Sequence, residues 1–237
     1  MSAVRMALLA GGLVLACGAT GCAPTTLPAS ELDPQATFAA HQVRDGFLLD
    51  RLPDSDTGIV EPSAWINLSG TPRFRVRTTR GTQGTLRLTS PARVVIHDAE
   101  AQPAAEVAPS WDSGAIHLAL LPVAGPPLRL GPFERIDGDS GYSLLTRNAL
   151  TTLDLQGVYR AKIRDAHERQ VGWLQVRIIE SYGARLFQGV LPGVSPEEQA
   201  GLMLALNSEI DWIENQALDV HRGISGGRGG HQSTGGR

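Results

Sequence analysis

Short apolar segments separated by Gly, Pro and Asp recur through the middle of the chain, from residue 65 to residue 191. They are rich in Val, Ile, Leu and Thr and return about every ten residues, a pattern typical of an all-β sandwich or barrel. Phe74 and Val76 alternate with arginines, which predicts a half-buried strand over residues 73–78. Further strands are predicted at residues 85–89, 93–97, 116–121, 158–163, 171–179 and 185–191.

Two regions show helical rather than alternating spacing. Between residues 35 and 52, apolar side chains recur three or four positions apart, which predicts a short helix interrupted near Gly46. Over residues 195–222 the pattern predicts one long helix, with Ser195 as its N-cap and Gly223 as its stop. The β-rich body is therefore expected to have a helix at each end.

The long helix carries a continuous apolar seam, whose members follow one another at spacings of three and four. Its central members are Met203, Leu206, Ile210 and Ile213. Such a seam must be covered, and two arrangements would cover it. Either it lies across the sheet as the second layer of the core, or it forms an interface with a partner helix or a second copy of the chain.

Together these elements predict an α+β fold that is mainly antiparallel β, either a sandwich or a partly open barrel. A short N-terminal helix precedes the β body, and one long C-terminal helix packs on it. We expect a single folded domain over residues 35–223, preceded at 22–34 by a flexible tether rich in Pro, Thr and Ser. The Gly-rich tail at 224–237 is predicted to be disordered.

The chain begins with an export leader. Arg5 precedes an apolar stretch of about ten residues, the length of the hydrophobic region of a signal peptide and too short for a membrane-spanning helix. Small residues then precede Cys22, and residues 1–22 resemble the signal peptide and lipobox of bacterial lipoproteins, in which the cysteine is acylated and becomes the first mature residue. Cys17 offers an alternative site in a second frame. Cys22 is preferred because cleavage there discards Cys17 and leaves no unpaired thiol in an oxidising compartment.

The resemblance implies a protein that is attached to a membrane through acyl chains at its N-terminus. By the sorting pattern of such lipoproteins, the lack of an Asp directly after Cys22 implies the outer membrane, with the folded part facing the periplasm. Several acyl chains on one cysteine would make the attachment stable, because a single chain binds a bilayer only marginally.

Composition excludes several classes of function. The formal net charge is −3, with 20 Arg and a single Lys, so the chain lacks the large basic excess of a nucleic-acid-binding domain. Both cysteines lie before residue 23, which excludes a disulfide framework and a cysteine-ligated zinc site in the folded part. The six histidines are isolated from one another, and no metal or cofactor is predicted.

The strand predicted at residues 73–78 carries the most prominent charge feature of the chain. Arg73, Arg75 and Arg77 share one face of this strand, and Arg80 follows it. Such a stripe would bind lipid phosphates or an acidic partner. The alternative is that it is simply the solvated face of the strand.

One motif raises a catalytic hypothesis. Residues 138–141 read Gly-Asp-Ser-Gly, the string around the nucleophile of chymotrypsin-like serine proteases, and His41 follows two alanines as the histidine of that family does. With Ser140 as nucleophile and His41 as base, the chain would be a periplasmic hydrolase. The residues after Ser140 differ from those of the family, and few residues precede His41. A turn between strands is therefore the preferred interpretation.

The expected function is that of a lipid-anchored envelope protein that works by binding or by scaffolding an envelope assembly, with an envelope protein as its partner. A homodimer through the C-terminal helix is a further expectation. Two alternatives remain open: the hydrolase built on Ser140 and His41, and a carrier of small apolar ligands with a cavity inside the β body.

Overall fold

The computed structural model describes residues 32–43, 46–53, 56–63, 71–90, 92–112, 114–138, 144–147, 155–179 and 185–226. Over these ranges the chain forms one antiparallel sheet and one helix, α1 (Pro196–Gly226). The strands are β1 (Phe38–Val43), β2 (Gly46–Arg51), β3 (Gly58–Pro62), β4 (Arg73–Thr78), β5 (Gly81–Ser90), β6 (Arg93–Asp98), β7 (Pro103–Asp112), β8 (Ala115–Pro122), β9 (Leu128–Leu130), β10 (Glu134–Arg135), β11 (Gly157–Arg164), β12 (Gln170–Ile178) and β13 (Arg185–Val190). Cys17 and Cys22, the tether up to residue 31, Ser140 and the tail from residue 227 lie outside the described residues.

The strands close into a barrel. Each strand from β1 to β9 pairs with the next along the chain, and β1 also pairs with β13. The ring closes where β11 pairs with β9, with Ile163 opposite Leu130. Twelve strands form this ring, and the short β10 lies beside β11 at its edge. The mainly antiparallel β class is confirmed, and the architecture is a closed barrel rather than a sandwich or a partly open barrel.

All the predicted strands occur, as β4, β5, β6, β8, β11, β12 and β13, although β12 and β13 each end one residue before the predicted end. The apolar pattern did not predict β3, β7, β9 or β10. In β7, Ala105 and Val107 are buried at alternate positions as in any half-buried strand. Pro103 and Pro109 obscured this alternation, because proline is rare inside strands.

The short helix predicted between residues 35 and 52 is wrong. The segment is the hairpin of β1 and β2, with Ala40 opposite Leu49. Phe38 and Ala40 are buried two positions apart on β1, and Phe47 and Leu49 are buried two positions apart on β2. Both faces of β1 are buried from Phe38 to His41, so its apolar residues do not alternate, and the spacing of four from Val43 to Phe47 crosses the turn between the strands.

The helix α1 begins where the sequence predicts. The Ser195 Oγ accepts the N–H of Glu198, whose carboxylate accepts the N–H of Ser195, so the two residues form a capping box. The predicted stop at Gly223 is wrong, because α1 continues to Gly226. A glycine inside a helix costs only about 1 kcal/mol relative to alanine, which packing elsewhere can offset. Within the described part of the chain, no helix has the length and apolarity that crossing a bilayer would need.

Every side of α1 is covered along part of its length. All residues from Gln199 to Asn207 are buried, and a run of that length goes round a helix about two and a half times. A helix that is packed on one side of a sheet would instead leave a polar face in solvent. This part of α1 is therefore surrounded by protein.

The contacts of α1 with opposite walls place it inside the barrel. A β-carbon at Gly201 would lie 2.5 Å from the side chain of Ile96, on β6. On the other side of α1, Arg185 of β13 donates a hydrogen bond to Asn207. β6 and β13 are half a turn apart in the ring of strands. A ring of twelve strands has room for a helix, because an interior of about eight strands is already filled by side chains alone.

Large side chains share the lumen with α1. They point inwards from β1, β2, β11 and β13, and they are Phe38, Phe47, Tyr159 and Phe187. The rings of Phe47 and Phe187 meet edge to face, with 5.8 Å between their centres. The helix and these aromatic side chains thus occupy the space in which the carrier hypothesis places a ligand.

The two ends of the barrel receive different parts of the chain. We call the end at which β1 and α1 begin the tether rim; it also carries the β2–β3, β4–β5, β6–β7, β8–β9 and β11–β12 connections. The opposite end, the far rim, carries the β1–β2, β3–β4, β5–β6, β7–β8 and β12–β13 connections. The N-terminal segment therefore joins the barrel at the tether rim.

Candidate functional site

An arginine-rich surface covers the outside of β4, β5 and β6. Phe74 and Val76 point inwards from β4, so the arginines that alternate with them point outwards. We define the arginine face as the outward arginine and histidine side chains of these strands together with one residue of the β4–β5 turn: Arg73, Arg75, Arg77, Arg80, Arg87, Arg93 and His97. The four arginines that the sequence singled out are therefore part of one continuous surface.

The strand register brings three of these arginines together. Arg73 lies directly opposite Arg87 on β5, and Arg75 is the next outward residue along β4, opposite Thr85. Like charges that face each other across a strand pair destabilise the sheet, whereas opposite charges contribute roughly 0.2–1 kcal/mol. This part of the wall has a positive potential that an anion would relieve.

Several arginines of the face pair with acidic side chains. They include Arg77 with Glu61 at 3.3 Å, Arg80 with Asp56 at 3.0 Å and Arg93 with Glu106 at 2.6 Å. Neither Arg75 nor Arg87 has an ion pair within the described part of the chain. The Arg87 Nε is in addition buried without a hydrogen-bond partner. Glu61 lies opposite Arg75 on β3 while its carboxylate pairs with Arg77, so it offsets the charge of Arg75 in part, and the positive charge of this area is least compensated at Arg87.

His97 responds to this charge. It lies on β6 opposite Thr85, beside the two rows of arginines. Partial burial lowers the pKa of His97 below its ordinary value of 6.5, and the guanidinium groups of Arg87 and Arg73 lower the pKa further, whereas Asp98 acts in the other direction. His97 is therefore neutral at pH 7, at the edge of a surface where a further positive charge is unfavourable.

The sequence pattern did not reveal Arg87 or His97 as part of the site. Both lie on predicted strands, and Leu86 and Leu88 flank Arg87 in the same alternation that revealed the arginines of β4. That alternation could have shown that Arg87 points outwards. It could not show that Arg87 faces Arg73, because the register between two strands is a property of the folded sheet.

Of the two residues of the hydrolase hypothesis, the structure describes His41 only. His41 lies on the outer side of β1, three strands from β4 in the ring, and is only 3% exposed. Its Nδ1 is 2.6 Å from Asp50 Oδ2, and its Nε2 is buried without a hydrogen-bond partner. Ser140 lies outside the described residues, so its pairing with His41 stays a prediction. No group of His, Cys, Asp and Glu that could hold a metal ion occurs in the described ranges.

The apolar seam of the long helix is enclosed by the barrel. Its four central members, which the sequence offered as a potential interface, are fully buried: Met203, Leu206, Ile210 and Ile213. The seam is thus covered by the walls of the same chain. In this fold α1 presents none of these four side chains to a second molecule.

The chain matches no known protein family, no curated protein and no solved structure.

Proposed function

We propose that this protein is a lipid-anchored binding module of the bacterial envelope. Acyl chains on Cys22 hold it to the outer membrane, and the barrel stands in the periplasm. Its arginine face binds an acidic segment of another envelope protein, so that the barrel serves as a scaffold or an accessory of an envelope assembly. The observation that carries this proposal is the placing of Arg73, Arg75 and Arg87 side by side on one outer wall.

The geometry of the face favours an extended acidic chain as its ligand. Arg73 and Arg75 are successive outward residues of β4, which places them about 7 Å apart along the strand. Alternate carboxylates of an extended peptide repeat at the same distance, and guanidinium groups bind carboxylates through paired hydrogen bonds. The face also covers a side wall of the barrel. When the barrel is tethered at one rim, its side wall faces neighbouring proteins rather than the lipid headgroups. This orientation favours a protein ligand over lipid headgroups.

A binding titration tests the arginine face. The probe is a fluorescent peptide of alternating Glu and Ser, and its binding to the purified protein is measured by anisotropy at several salt concentrations. Replacing Arg75 and Arg87 by Ala is expected to weaken binding by roughly 2- to 30-fold, because exposed ion pairs contribute about 0.2–1 kcal/mol each. The loss should shrink at high salt, where such charges are screened.

A matched control separates this site from general attraction to positive charge. Arg129 and Arg169 are 72% and 73% exposed, and they pair with Glu168 and Asp165 on another part of the barrel. Replacing both by Ala changes the net charge by the same amount and should leave binding almost unchanged. An equal loss in the two double variants would refute the arginine face. Stronger arginine-dependent binding to anionic vesicles than to the peptide would replace the protein partner by lipid.

The anchor is tested separately. Cys22→Ser is expected to release the protein from the membrane fraction, whereas Cys17→Ser should leave it membrane-bound with acylated Cys22, as measured by mass spectrometry of the N-terminal peptide. The reverse result would move the attachment site to Cys17. Unmodified cysteines in the membrane fraction would contradict the proposal of a lipoprotein.

A further inference from the structure

The connection between β8 and β9 is apolar and exposed. Residues 121–127 read Leu-Pro-Val-Ala-Gly-Pro-Pro, and we call them the apolar turn. Val123 is 72% exposed and Leu121 is 42% exposed. Moving such side chains out of water is favourable in proportion to their apolar area. The apolar turn is therefore a patch that gains free energy when an apolar phase covers it.

The other hairpin turns at the tether rim are charged. Asp56 lies in the β2–β3 connection, Arg80 in the β4–β5 turn, Glu100 in the β6–β7 turn and Glu168 in the β11–β12 turn. Among the hairpin turns of this rim, the apolar turn is the one without a charged residue. Among the described residues, the exposed large apolar side chains of the tether rim, Leu121 and Val123, both belong to the apolar turn, whereas Trp111, Ile136 and Ile179 lie towards the far rim.

The apolar turn lies at the end of the barrel at which β1 begins. Directly before β1, the N–H of Thr37 donates to the Gly189 carbonyl at the tether rim. The chain between Cys22 and Leu32 can reach at most about 35 Å even when fully extended. Asp33 bonds to Gln188 of β13 and to Arg160 of β11 on the outer wall, so an anchor at Cys22 would keep the barrel within this reach of the bilayer, and a contact at one rim would decide which end faces it.

We infer that the apolar turn is a second membrane contact, which enters the bilayer interface when the protein is anchored and seats the barrel on its tether rim. The inference rests on the proposed anchor at Cys22. A short tether makes the contact intramolecular, with an effective concentration in the millimolar range, so a weak apolar interaction is sufficient. Seated in this way, the barrel directs its arginine face along the membrane surface towards neighbouring envelope proteins.

Single-cysteine labelling tests the contact, because residues 23–237 contain no cysteine. Val123→Cys is labelled with an environment-sensitive NBD group in the full chain, which is reconstituted into vesicles through its own anchor. Ile136→Cys is the matched control, since Ile136 is also a β-branched residue, is 51% exposed and lies towards the far rim. The label at residue 123 is expected to shift to the blue, brighten several-fold and be quenched by spin-labelled lipids. The label at residue 136 should do none of these.

Each result has a defined meaning. A water-like emission from residue 123 on vesicles with acylated Cys22 would overturn the contact and leave the anchor intact. Mass spectrometry of the N-terminal peptide from the same vesicles reports the acylation, and an unmodified Cys22 would overturn the anchor and the contact together. Equal shifts at residues 123 and 136 would also overturn the contact, because the barrel would then have no preferred end.

Discussion

Arg185 joins the wall of the barrel to α1 through a buried ion cluster. The side chain is 1% exposed, and its guanidinium donates to Glu214 at 2.8 Å, to Asp211 at 2.7 Å and to the side chain of Asn207 at 2.7 Å. Glu214 is itself fully buried. In the Arg185→Leu variant, the Glu214 carboxylate loses the cation that compensates its burial.

The expected loss of stability is large. Removing one partner of a buried ion pair lowers the free energy of unfolding by about 3–5 kcal/mol, because the remaining charge is buried away from water without a counter-ion. The total free energy of unfolding of a natural domain is only about 5–15 kcal/mol. Arg185→Leu should therefore lose a large part of the stability of the barrel. Replacing Arg185 and Glu214 together by Leu should recover most of the loss, since an apolar pair of similar size is often as stable as a buried ion pair.

Urea unfolding, followed by far-ultraviolet circular dichroism and by tryptophan fluorescence, measures these differences. The control is Arg93→Leu, because Arg93 pairs with Glu106 at 2.6 Å while 50% of its side chain is exposed. This surface pair should contribute less than about 1 kcal/mol. The reasoning is refuted if Arg185→Leu costs no more than Arg93→Leu, or if the double variant is as unstable as the single one.

The remaining predictions concern the lumen and the arginine face. Gly201→Leu should lower the free energy of unfolding by about 1–3 kcal/mol, because α1 passes too close to Ile96 for a larger side chain; an unchanged urea midpoint would contradict this close approach. Folding lowers the pKa of His97. The stability that neutral His97 contributes is therefore fully present above the ordinary pKa of 6.5 and is lost as the pH falls through the lowered pKa. His97→Gln should accordingly reduce the fall in Tm between about pH 7.5 and 5, and a slope equal to that of the parent protein would show that another group is responsible. Binding of the acidic peptide should raise the pKa of His97, as followed by NMR of its ring protons, because the carboxylates offset the charge of Arg87; no change on saturation would place the peptide elsewhere. Ile210→Asp should unfold the protein, since it puts a charge at a fully buried position, whereas a folded monomer that has lost only self-association would support an interface on α1.

Local patterns predicted those parts of the fold that depend on local chemistry. Alternation along β4 and the capping residue Ser195 were both readable, because side-chain period and helix capping involve neighbouring residues only. The hairpin of β1 and β2 was misassigned because the local pattern does not alternate there. Four successive residues of β1 are buried, and an apolar spacing of four crosses the turn. The apolar seam indicated that α1 must be covered, but it could not distinguish one wall from a surrounding barrel.

The sequence by itself determined seven of the thirteen strands, where the long helix begins, and that Arg73 and Arg75 share one face of a strand. Only the tertiary structure decided that the strands close into a ring, that α1 lies within it, and that Arg87 faces Arg73. Alternation specifies which side of a strand is buried, but not which strand lies beside it or in which register. Closure needs two pairings between strands that do not follow one another in the chain, β1 with β13 and β9 with β11. The helix is enclosed only once both pairings have formed the ring.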